Sequence, residues 1–428
     1  MRTRLGSILI IIGLLALTTQ IAYSQTDSTL FYRVKGKIVD RNTGDPVPSA
    51  SIFIAGSSVG TVANMDGEFF LKIRTKYMND SVVISSMGYE SLNLRIDQFN
   101  IEQNLVQLRA IVIPLEEVTI VNQDARYLVA EAIGKIRNNY SVQPMMVTSF
   151  YRESVRKGKK YLLVSEAVLE GYKASYASIF DVDRVSILKA RKSSDFKNRD
   201  TVILKLQGGP LTMFKLDFVK EPGELIDKTA MPYYQYHLSG QTRIDNRQAH
   251  VISFHQLPEI DVPFYKGSFF VGVEDIAFMG AEFHLSEDHM DRAAEFMVKV
   301  EPFGAKIDVD KADYVVNYRF FNGKWHLSYV RSEIVVKVNW DKKLFNSTFT
   351  IKAEMAVTNV DSTNVIRFDK ADMVRSKDIF VEQIADFEDP KFWGDDNIIR
   401  PEESIQSAIE RMGKNSQLSS PPGADSDR

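Results

Sequence analysis

Few side chains in this sequence have the types and spacing that metal or acid–base chemistry requires, and the best of them is a histidine–glutamate pair. His284 and Glu287 are separated by two residues, a spacing that can open a zinc site. A catalytic zinc site needs three protein ligands and an open position. The other candidates are His289, which is too near in sequence, and His326, which falls in a predicted strand. We therefore predict no bound metal, and a solvated polar turn at residues 286–289.

No other catalytic signature is present. The sequence has no nucleophile elbow, and the glycine-rich loop at 208–210 lacks the Lys and the Ser or Thr of a phosphate-binding loop. A Ser-His-Asp triad is recognised by geometry, which the sequence does not supply. The acid pairs Glu116 with Glu117 and Asp395 with Asp396 are predicted to be solvated rather than a glycosidase dyad. The sequence therefore predicts no catalytic residue and no cofactor.

Aromatic residues make up 11% of the chain and are concentrated in its second part. That group comprises Phe264, Tyr265, Phe269, Phe270, Phe278, Phe283, Tyr314, Tyr318, Phe320, Phe321, Trp325 and Tyr329. Most of them are predicted to pack in the core of a sheet, where aromatic residues are enriched. A curved sheet around a helix also encloses apolar pockets in some proteins. This leaves open a ligand pocket whose lining the sequence does not identify.

The N-terminus has the three parts of a secretory signal peptide. Arg2 and Arg4 precede an apolar run at residues 8–17, and small residues at Ala22 and Ser24 predict cleavage before Gln25. No later segment has the length and apolarity of a membrane-spanning helix. We therefore predict a signal peptide at 1–24 and an exported protein that resides in the periplasm or at the outer membrane.

The cysteine content and the net charge of the chain limit the kinds of molecule that it is expected to bind. The chain contains no cysteine, which excludes disulfide bonds, thiolate metal sites and a lipid-anchored cysteine. A formal net charge of -3 and 25% charged residues, with both signs interspersed, favour neither nucleic acid nor an anionic membrane surface. The predicted partners are an envelope protein or a lipid or glycan ligand, and the oligomeric state is left open.

The elements that position these residues begin with a β-rich N-terminal part. Val34, Gly36 and Ile38 alternate with charged residues, which predicts a strand with one buried face. Asp66 and Gly67 predict a type I′ hairpin turn, since Gly accepts a positive φ without strain. Gly88 is a further predicted turn residue. We therefore expect a small β-sandwich at residues 30–110, followed by a linker at 111–123.

This N-terminal pattern also resembles a known family. The motifs that carry the resemblance are Val-Lys-Gly-Lys-Ile-Val-Asp from Val34, Asn-Thr-Gly at 42–44, Pro-Val-Pro-Ser-Ala from Pro46, Asn-Met-Asp-Gly-Glu-Phe from Asn64 and Ser-Ser-Met-Gly-Tyr from Ser85. They resemble the carboxypeptidase regulatory-like domain, a transthyretin-like sandwich common in envelope proteins of Bacteroidetes-type bacteria. The resemblance implies a structural module without chemistry of its own.

The second part is predicted to be an α+β domain at residues 124–400. Asp124 caps a predicted amphipathic helix whose apolar stripe comprises Ala125, Leu128, Val129, Ala132, Ile133 and Ile136. Strands are predicted at 148–153, 161–172, 234–237, 249–254, 267–273, 277–284, 312–320, 325–337 and 349–358. Polar turns such as those at 245–247 and 322–323 separate them. These elements predict a mainly β protein with a curved antiparallel sheet packed on a helix.

Two further segments are less regular. Residues 189–232 are predicted to form a lid or insertion with short helices. At the C-terminus, 401–428 is predicted to contain a short helix at 402–412 and a disordered tail from 416.

The second part is also similar to uncharacterised envelope proteins that follow the same regulatory-like domain. The similarity rests on Phe-Tyr-Arg-Glu from Phe150, Tyr-Lys-Gly-Ser-Phe-Phe from Tyr265, Tyr-Arg-Phe-Phe-Asn-Gly-Lys-Trp from Tyr318 and Phe-Trp-Gly-Asp-Asp from Phe392. The strand order is also similar to the half-barrel of periplasmic lipoprotein carriers.

Together these observations predict a non-enzymatic, exported cell-envelope protein that acts as an adaptor or binding module. The alternative is a periplasmic carrier that holds a lipid or acyl chain in the second domain. A hydrolase that uses His284 and Glu287 is the third alternative. A carrier requires a continuous apolar cavity beneath the sheet, whereas an adaptor has a filled core.

Overall fold

The computed structural model describes most of the chain. The described residues are 31–100, 103–111, 124–195, 209–261, 264–287, 290–297, 304–341, 346–369, 371–375, 380–384 and 392–419. The predicted signal peptide and the predicted linker from residue 112 onward lie outside the described residues, as do Glu116, Glu117 and His289.

Strands account for most of the regular structure. In the N-terminal domain they are β1 (Phe31–Asp40), β2 (Ser51–Ile54), β3 (Gly60–Val62), β4 (Glu68–Arg74), β5 (Ser81–Ser85), β6 (Leu92–Arg95) and β7 (Asn104–Leu108). In the second domain they are β8 (Met145–Lys157), β9 (Lys160–Lys173), β10 (Arg184–Ser194), β11 (Tyr234–Ile244), β12 (Arg247–Gln256), β13 (Tyr265–Gly272), β14 (Phe278–Leu285), β15 (Ala305–Phe321), β16 (Lys324–Trp340) and β17 (Ser347–Asp361). The predicted mainly β class is confirmed.

The described α-helices all follow the sandwich in sequence. They are α1 (Ala125–Gly134), α2 (Ile136–Asn139), α3 (Gly209–Lys215), α4 (Gly223–Ile226), α5 (Ala293–Met297) and α6 (Glu403–Ser419). Single 3₁₀ turns occur at Thr75–Tyr77, Ile96–Gln98, Met231–Tyr233, Met290–Arg292 and Phe380–Glu382. Asp124 caps α1 as predicted, because its side chain accepts a hydrogen bond from the backbone N–H of Arg126 at 3.0 Å.

The N-terminal domain is a sandwich of two small sheets, with strand orders β4-β1-β7 and β3-β2-β5-β6. Val34 and Ile38 of β1 are fully buried, whereas Arg33 and Lys35 are exposed, as the alternation predicts. Their apolar side chains pack with those of the facing sheet, such as Ile52, in one core. Burial of one face of each sheet is what makes this small domain stable.

The turn at Asp66 and Gly67 differs from the predicted hairpin. Only Gly67 has a positive φ, of 75°. The side chain of Asn64 closes the turn by accepting hydrogen bonds from the backbone N–H groups of Asp66 and Glu68, at 3.0 and 2.7 Å. Strands β3 and β4 on either side belong to different sheets. The type I′ hairpin prediction is therefore wrong, because turn chemistry sets local conformation but not which strand each arm joins.

The second domain is built on one antiparallel sheet of ten strands, in the order β10-β9-β8-β17-β16-β15-β14-β13-β12-β11. The turns predicted at 245–247 and 322–323 join hairpins, and Asp245, Asn246, Asn322 and Gly323 all have positive φ. Register shifts occur between several strand pairs, including β15 with β16 and β17 with β8. Such bulges increase twist and bend a sheet.

One face of this sheet, which we call the inner face, carries the main core. Helix α1 packs there against β11 and β13 and buries Leu128, Val129 and Ala132. Helix α3 packs against β10 and β17 and buries Phe214. The described part of the segment predicted to be a lid at 189–232 therefore contributes to the core, with short helices as predicted.

The opposite, outer face is covered by the N-terminal sandwich and by residues 392–402, which we call the strap. The buried Lys72 donates hydrogen bonds from Nζ to the strap carbonyls of Gly394 at 2.5 Å and Asp396 at 2.7 Å. Arg152 of β8 lies between Glu166 and Glu354 and donates to the Ile399 carbonyl at 2.7 Å. The sandwich is therefore packed on the sheet through the strap.

The final helix is longer than predicted. Helix α6 begins at Glu403 and continues to Ser419, so the disorder predicted from residue 416 is wrong for the first four residues of that tail. Ile405, Ala408, Ile409 and Met412 are buried with Val164 of β9. The helix extends beyond the apolar stripe and continues through Gly413, which directly follows Met412 and would be the expected C-terminal signal.

Candidate functional site

The histidine–glutamate pair lies at the end of β14, and among the described residues it belongs to no cluster of metal ligands. His284 is half-buried near the end of β14, and Glu287 is exposed and forms an ion pair with Lys266. A hydrogen bond from Lys266 lowers the pKa of Glu287. Within the described ranges, no three His, Asp or Glu side chains come together to hold a metal ion.

The other polar candidates lie elsewhere. The ring of His326 stacks on that of Phe321. Burial together with the Arg319 charge lowers the pKa of His326 to about 4, and a backbone hydrogen bond with Phe321 opposes this shift. Asp396 forms an exposed ion pair with Lys189 at 2.7 Å. Those residues suggested for chemistry that the structure describes are therefore not brought together.

The aromatic residues of the second domain fill the inner face. Phe254 stacks on Phe269 with ring centroids 4.3 Å apart. Phe218, which follows α3, contacts the rings of Phe269, Phe278 and Tyr318 at 5.4–5.7 Å. This packing is the core role predicted for most of them, although Tyr329 instead packs on the outer face.

The free space next to Phe214 beneath the sheet is small. An internal void lined by Met145, Lys173, Tyr176, Phe214 and Leu327 has a volume of about 10 Å³. That is about the minimum for one water molecule. An acyl chain at this position would require Phe214 and its neighbours to move.

A group of buried charges lies at the edge of this core, where β9 ends. The Lys173 ammonium is fully buried and contacts Asp183 and, at 2.6 Å, Asp217. Asp217 also accepts hydrogen bonds from the hydroxyls of Tyr176 at 2.7 Å and Tyr318 at 2.6 Å. Burial would lower the pKa of Lys173, but the two carboxylates outweigh it and raise this pKa. The β9–β10 loop is therefore anchored at both ends, through Lys173 and Asp183.

A second lysine fixes the middle of that loop. Nζ of Lys220 donates hydrogen bonds to the backbone carbonyls of Ser175 at 2.8 Å, Ser178 at 2.5 Å and Asp181 at 2.8 Å. The Tyr172 hydroxyl donates to Asp181 at 2.6 Å. Because three carbonyls are turned toward one ammonium group, the residues between them project away from the domain.

Those residues are apolar. Ile179 is 86% exposed and Phe180 is 89% exposed, the two highest values among the large exposed apolar side chains of the described residues. Val182, two residues further on, is also exposed. Leaving a Phe side chain in water forgoes a favourable transfer of about 1.5–3 kcal/mol. Two such neighbours on a loop fixed by buried ions are therefore a candidate binding feature.

Two adjoining segments bring further apolar side chains to this loop. The Ser175 hydroxyl donates to the Val142 carbonyl at 2.9 Å, and Arg367 forms an ion pair with Asp181 at 2.9 Å. Val142 and Ile366 are both exposed. We call the group of exposed apolar side chains on these three segments the apolar tip. It comprises Val142, Ile179, Phe180, Val182 and Ile366.

The sequence analysis missed the apolar tip. A signal was present, since Ile179 and Phe180 stand between Ser178 and Asp181 in a stretch without strand alternation. The exposure of this pair was not readable from neighbouring residues, because the loop is held by Lys220, which is distant in sequence.

A small cavity with both polar and apolar lining residues lies at the seam between the sandwich and the sheet. It has a volume of about 40 Å³ and is lined by residues that include Ser85, Asp245, Asn317 and Arg319. Arg319 donates to the Ser58 carbonyl of the sandwich at 2.8 Å. A cavity of this size holds a few water molecules, which fits a hydrated joint between the domains.

The turn at Gly88 belongs to the same seam. Gly88 has a φ of 77°. Its backbone N–H donates to the Arg243 carbonyl of β11 at 3.1 Å, and its carbonyl accepts from the Ile111 N–H at 2.8 Å. This predicted turn residue therefore links the sandwich to the second domain.

The N-terminal domain matches a known family. Residues 34–120 match the CarboxypepD_reg-like domain family, which confirms the resemblance predicted for this part of the chain. No curated protein sequence is significantly similar to the chain. Within the described residues, no helix is both long and apolar enough to cross a membrane.

Solved structures share only a distant likeness with this chain. A DUF1329 family protein from Desulfovibrio piger has 12% identity and a TM-score of 0.24, over 58% of this chain and 96% of its own. The MucA/MucB complex of Pseudomonas aeruginosa has 12% identity and a TM-score of 0.17, over 54% and 93%. Lipovitellin has 8% identity and a TM-score of 0.26, over 54% of this chain and 26% of its own. Likenesses at these TM-scores carry no argument about function.

Proposed function

We propose that this protein is a non-enzymatic, exported component of the cell envelope that binds a partner through the apolar tip. The observation that carries the proposal is the exposure of Ile179 and Phe180 on a loop that buried ion pairs hold in place. A disordered loop would lose conformational entropy on binding, whereas a braced loop has lost it already. The tip is therefore pre-organised for association.

The sandwich has a supporting role in this proposal. It is packed on the outer face, where Lys72 and the strap join it to the sheet. The adaptor role expected from the sequence is thereby assigned to the second domain, with the sandwich as its fixed support. The predicted signal peptide supports placement in the periplasm or at the outer membrane.

Photo-crosslinking in intact envelopes tests this function. A benzophenone amino acid replaces Phe180 in one strain, and it replaces Leu105, which is exposed on β7 of the sandwich, in a matched control strain. We expect a discrete cross-linked product at position 180 that is absent at position 105. Equal labelling at both positions, or none at either, would contradict a binding role for the tip.

The carrier alternative requires a different result. The described inner face is filled by rings such as Phe218 and Phe269, so an acyl chain would have to displace them. Native mass spectrometry with lipid extraction on protein purified from the periplasm distinguishes the two functions. A stoichiometric acyl-containing adduct would support the carrier, whereas an unliganded mass is expected for the binding module.

A further inference from the structure

We infer that the apolar tip inserts into the surface of a phospholipid bilayer, an inference that rests on the proposed function and names the partner. The tip has the form of a projecting apex. Ile179 and Phe180 extend beyond the carbonyls that Lys220 holds. A protein partner would need a preformed cavity to receive such an apex, whereas lipid acyl chains rearrange around it. Side chains of this kind are typical of interfacial membrane contacts.

The charges behind the apex suit phospholipid head groups. Arg367 forms an ion pair with Asp181, and the Arg367 side chain is 52% exposed whereas that of Asp181 is 23% exposed. The Asp181 carboxylate also accepts a hydrogen bond from Tyr172. The guanidinium of Arg367 is therefore the more accessible charge and is available to a lipid phosphate, which Arg binds well.

Ile366 directly precedes Arg367 in sequence, so the tip combines an apolar side chain and a cation here as well. Ile366 is exposed beside a cation, so an apolar side chain and a charged group lie on one short segment. Behind this segment, Tyr172 is buried and packs with Phe368, and its hydroxyl donates to Asp181. The arrangement places apolar side chains outermost, with cationic and aromatic groups behind them.

Vesicle flotation with the purified exported protein tests the inference. The vesicles contain phosphatidylethanolamine and phosphatidylglycerol, and the measured quantity is the fraction of protein that floats with them. We expect the wild-type protein to float and the double variant Ile179→Ser, Phe180→Ser to partition at least about tenfold less, because two apolar side chains no longer enter the bilayer. Leu105→Ser, a substitution at a residue 66% exposed on the sandwich, is expected to float like the wild type.

A charge variant adds a second readout. Arg367→Gln is expected to weaken binding to the anionic vesicles more than binding to neutral phosphatidylcholine vesicles, because both lipids carry a phosphate but only the anionic surface also attracts the cation by its net charge. Equal binding of this variant and the wild type to the anionic vesicles would refute a role for Arg367. The thermal unfolding of the tip variants should match that of the wild type, since their side chains are exposed.

The outcomes separate this inference from the proposed function. If the wild-type protein does not float, or if the double variant floats equally well, membrane insertion is refuted. A protein cross-linked at position 180 in the envelope would then still support a binding role, with a protein as the partner. Lipid cross-linked at position 180 together with flotation supports both.

Discussion

Replacement of Lys173 by Met tests whether the buried charges brace the tip. The substitution keeps a linear side chain of similar size but leaves Asp183 and Asp217 without the ammonium that they share. Removal of one partner from a buried ion pair costs about 3–5 kcal/mol, because the remaining charge stays buried without compensation. Asp217 retains its two tyrosine donors, which offset part of this cost but do not neutralise it. We expect the free energy of unfolding of the second domain to fall by about 3–5 kcal/mol.

Urea unfolding at pH 7 followed by tryptophan fluorescence measures this change, since Trp325 is fully buried in the inner core. The matched control is Lys160→Met, which removes an ion pair with Asp195 from a lysine that is 54% exposed. Exposed pairs contribute about 1 kcal/mol or less. If Lys173→Met destabilises the domain no more than this control, the ion cluster is not the brace. Cross-linking at position 180 should also weaken in Lys173→Met.

Three further predictions concern the sandwich, the inner face and the strap. Gly67→Val should destabilise the sandwich more than Gly44→Val. The φ angles are similar, 75° at Gly67 and 77° at Gly44, but only at Gly67 would a Cβ meet a backbone oxygen, that of Ile38 at 2.3 Å. Equal thermal unfolding of the two variants would refute this clash. Burial raises the pKa of Glu153 from 4.5 to about 7, so its contribution to stability is fully present below pH 4.5 and is lost as the pH rises to 7. Glu153→Gln should therefore be more stable than the wild type at pH 8 by up to about 3 kcal/mol in urea unfolding, and an unchanged pH profile would contradict the raised pKa. Lys72→Met should lower stability by about 1–3 kcal/mol, because the strap carbonyls of Gly394 and Asp396 lose their charged donor. It should also speed limited proteolysis of the strap, and unchanged digestion would mean that Lys72 does not hold the strap.

The packing of the sandwich against the sheet changes what the N-terminal domain can do. An adaptor on a flexible linker could place its own surface against a partner at many angles. Here the seam includes the Lys72 contacts to the strap and the hydrogen bond from Arg319 to Ser58. The surface that the protein offers to a partner is therefore set by the two domains together, with the apolar tip on the second domain.

Local signals predicted much of the fold. The alternation around Val34 and Ile38, the cap at Asp124 and the turn dipeptide Asn322-Gly323 each depend on neighbouring residues, so they are readable from the sequence. The same was true of the family motifs of the sandwich. The hairpin at Asp66 and Gly67 failed because strand pairing in a sandwich depends on which sheet each arm joins.

The sequence by itself determined the β-rich class, the turn positions, the amphipathic helix and the identity of the N-terminal module, because periodicity and turn chemistry act over a few residues. Only the tertiary structure decided which charges are buried and which apolar residues are exposed. Lys173 meets Asp217, and Lys220 meets the carbonyls around Ile179 and Phe180, across more than 35 residues of chain. Contacts of this range arise from the packing of whole elements and leave no local pattern. The candidate binding feature was therefore visible only once the chain was folded.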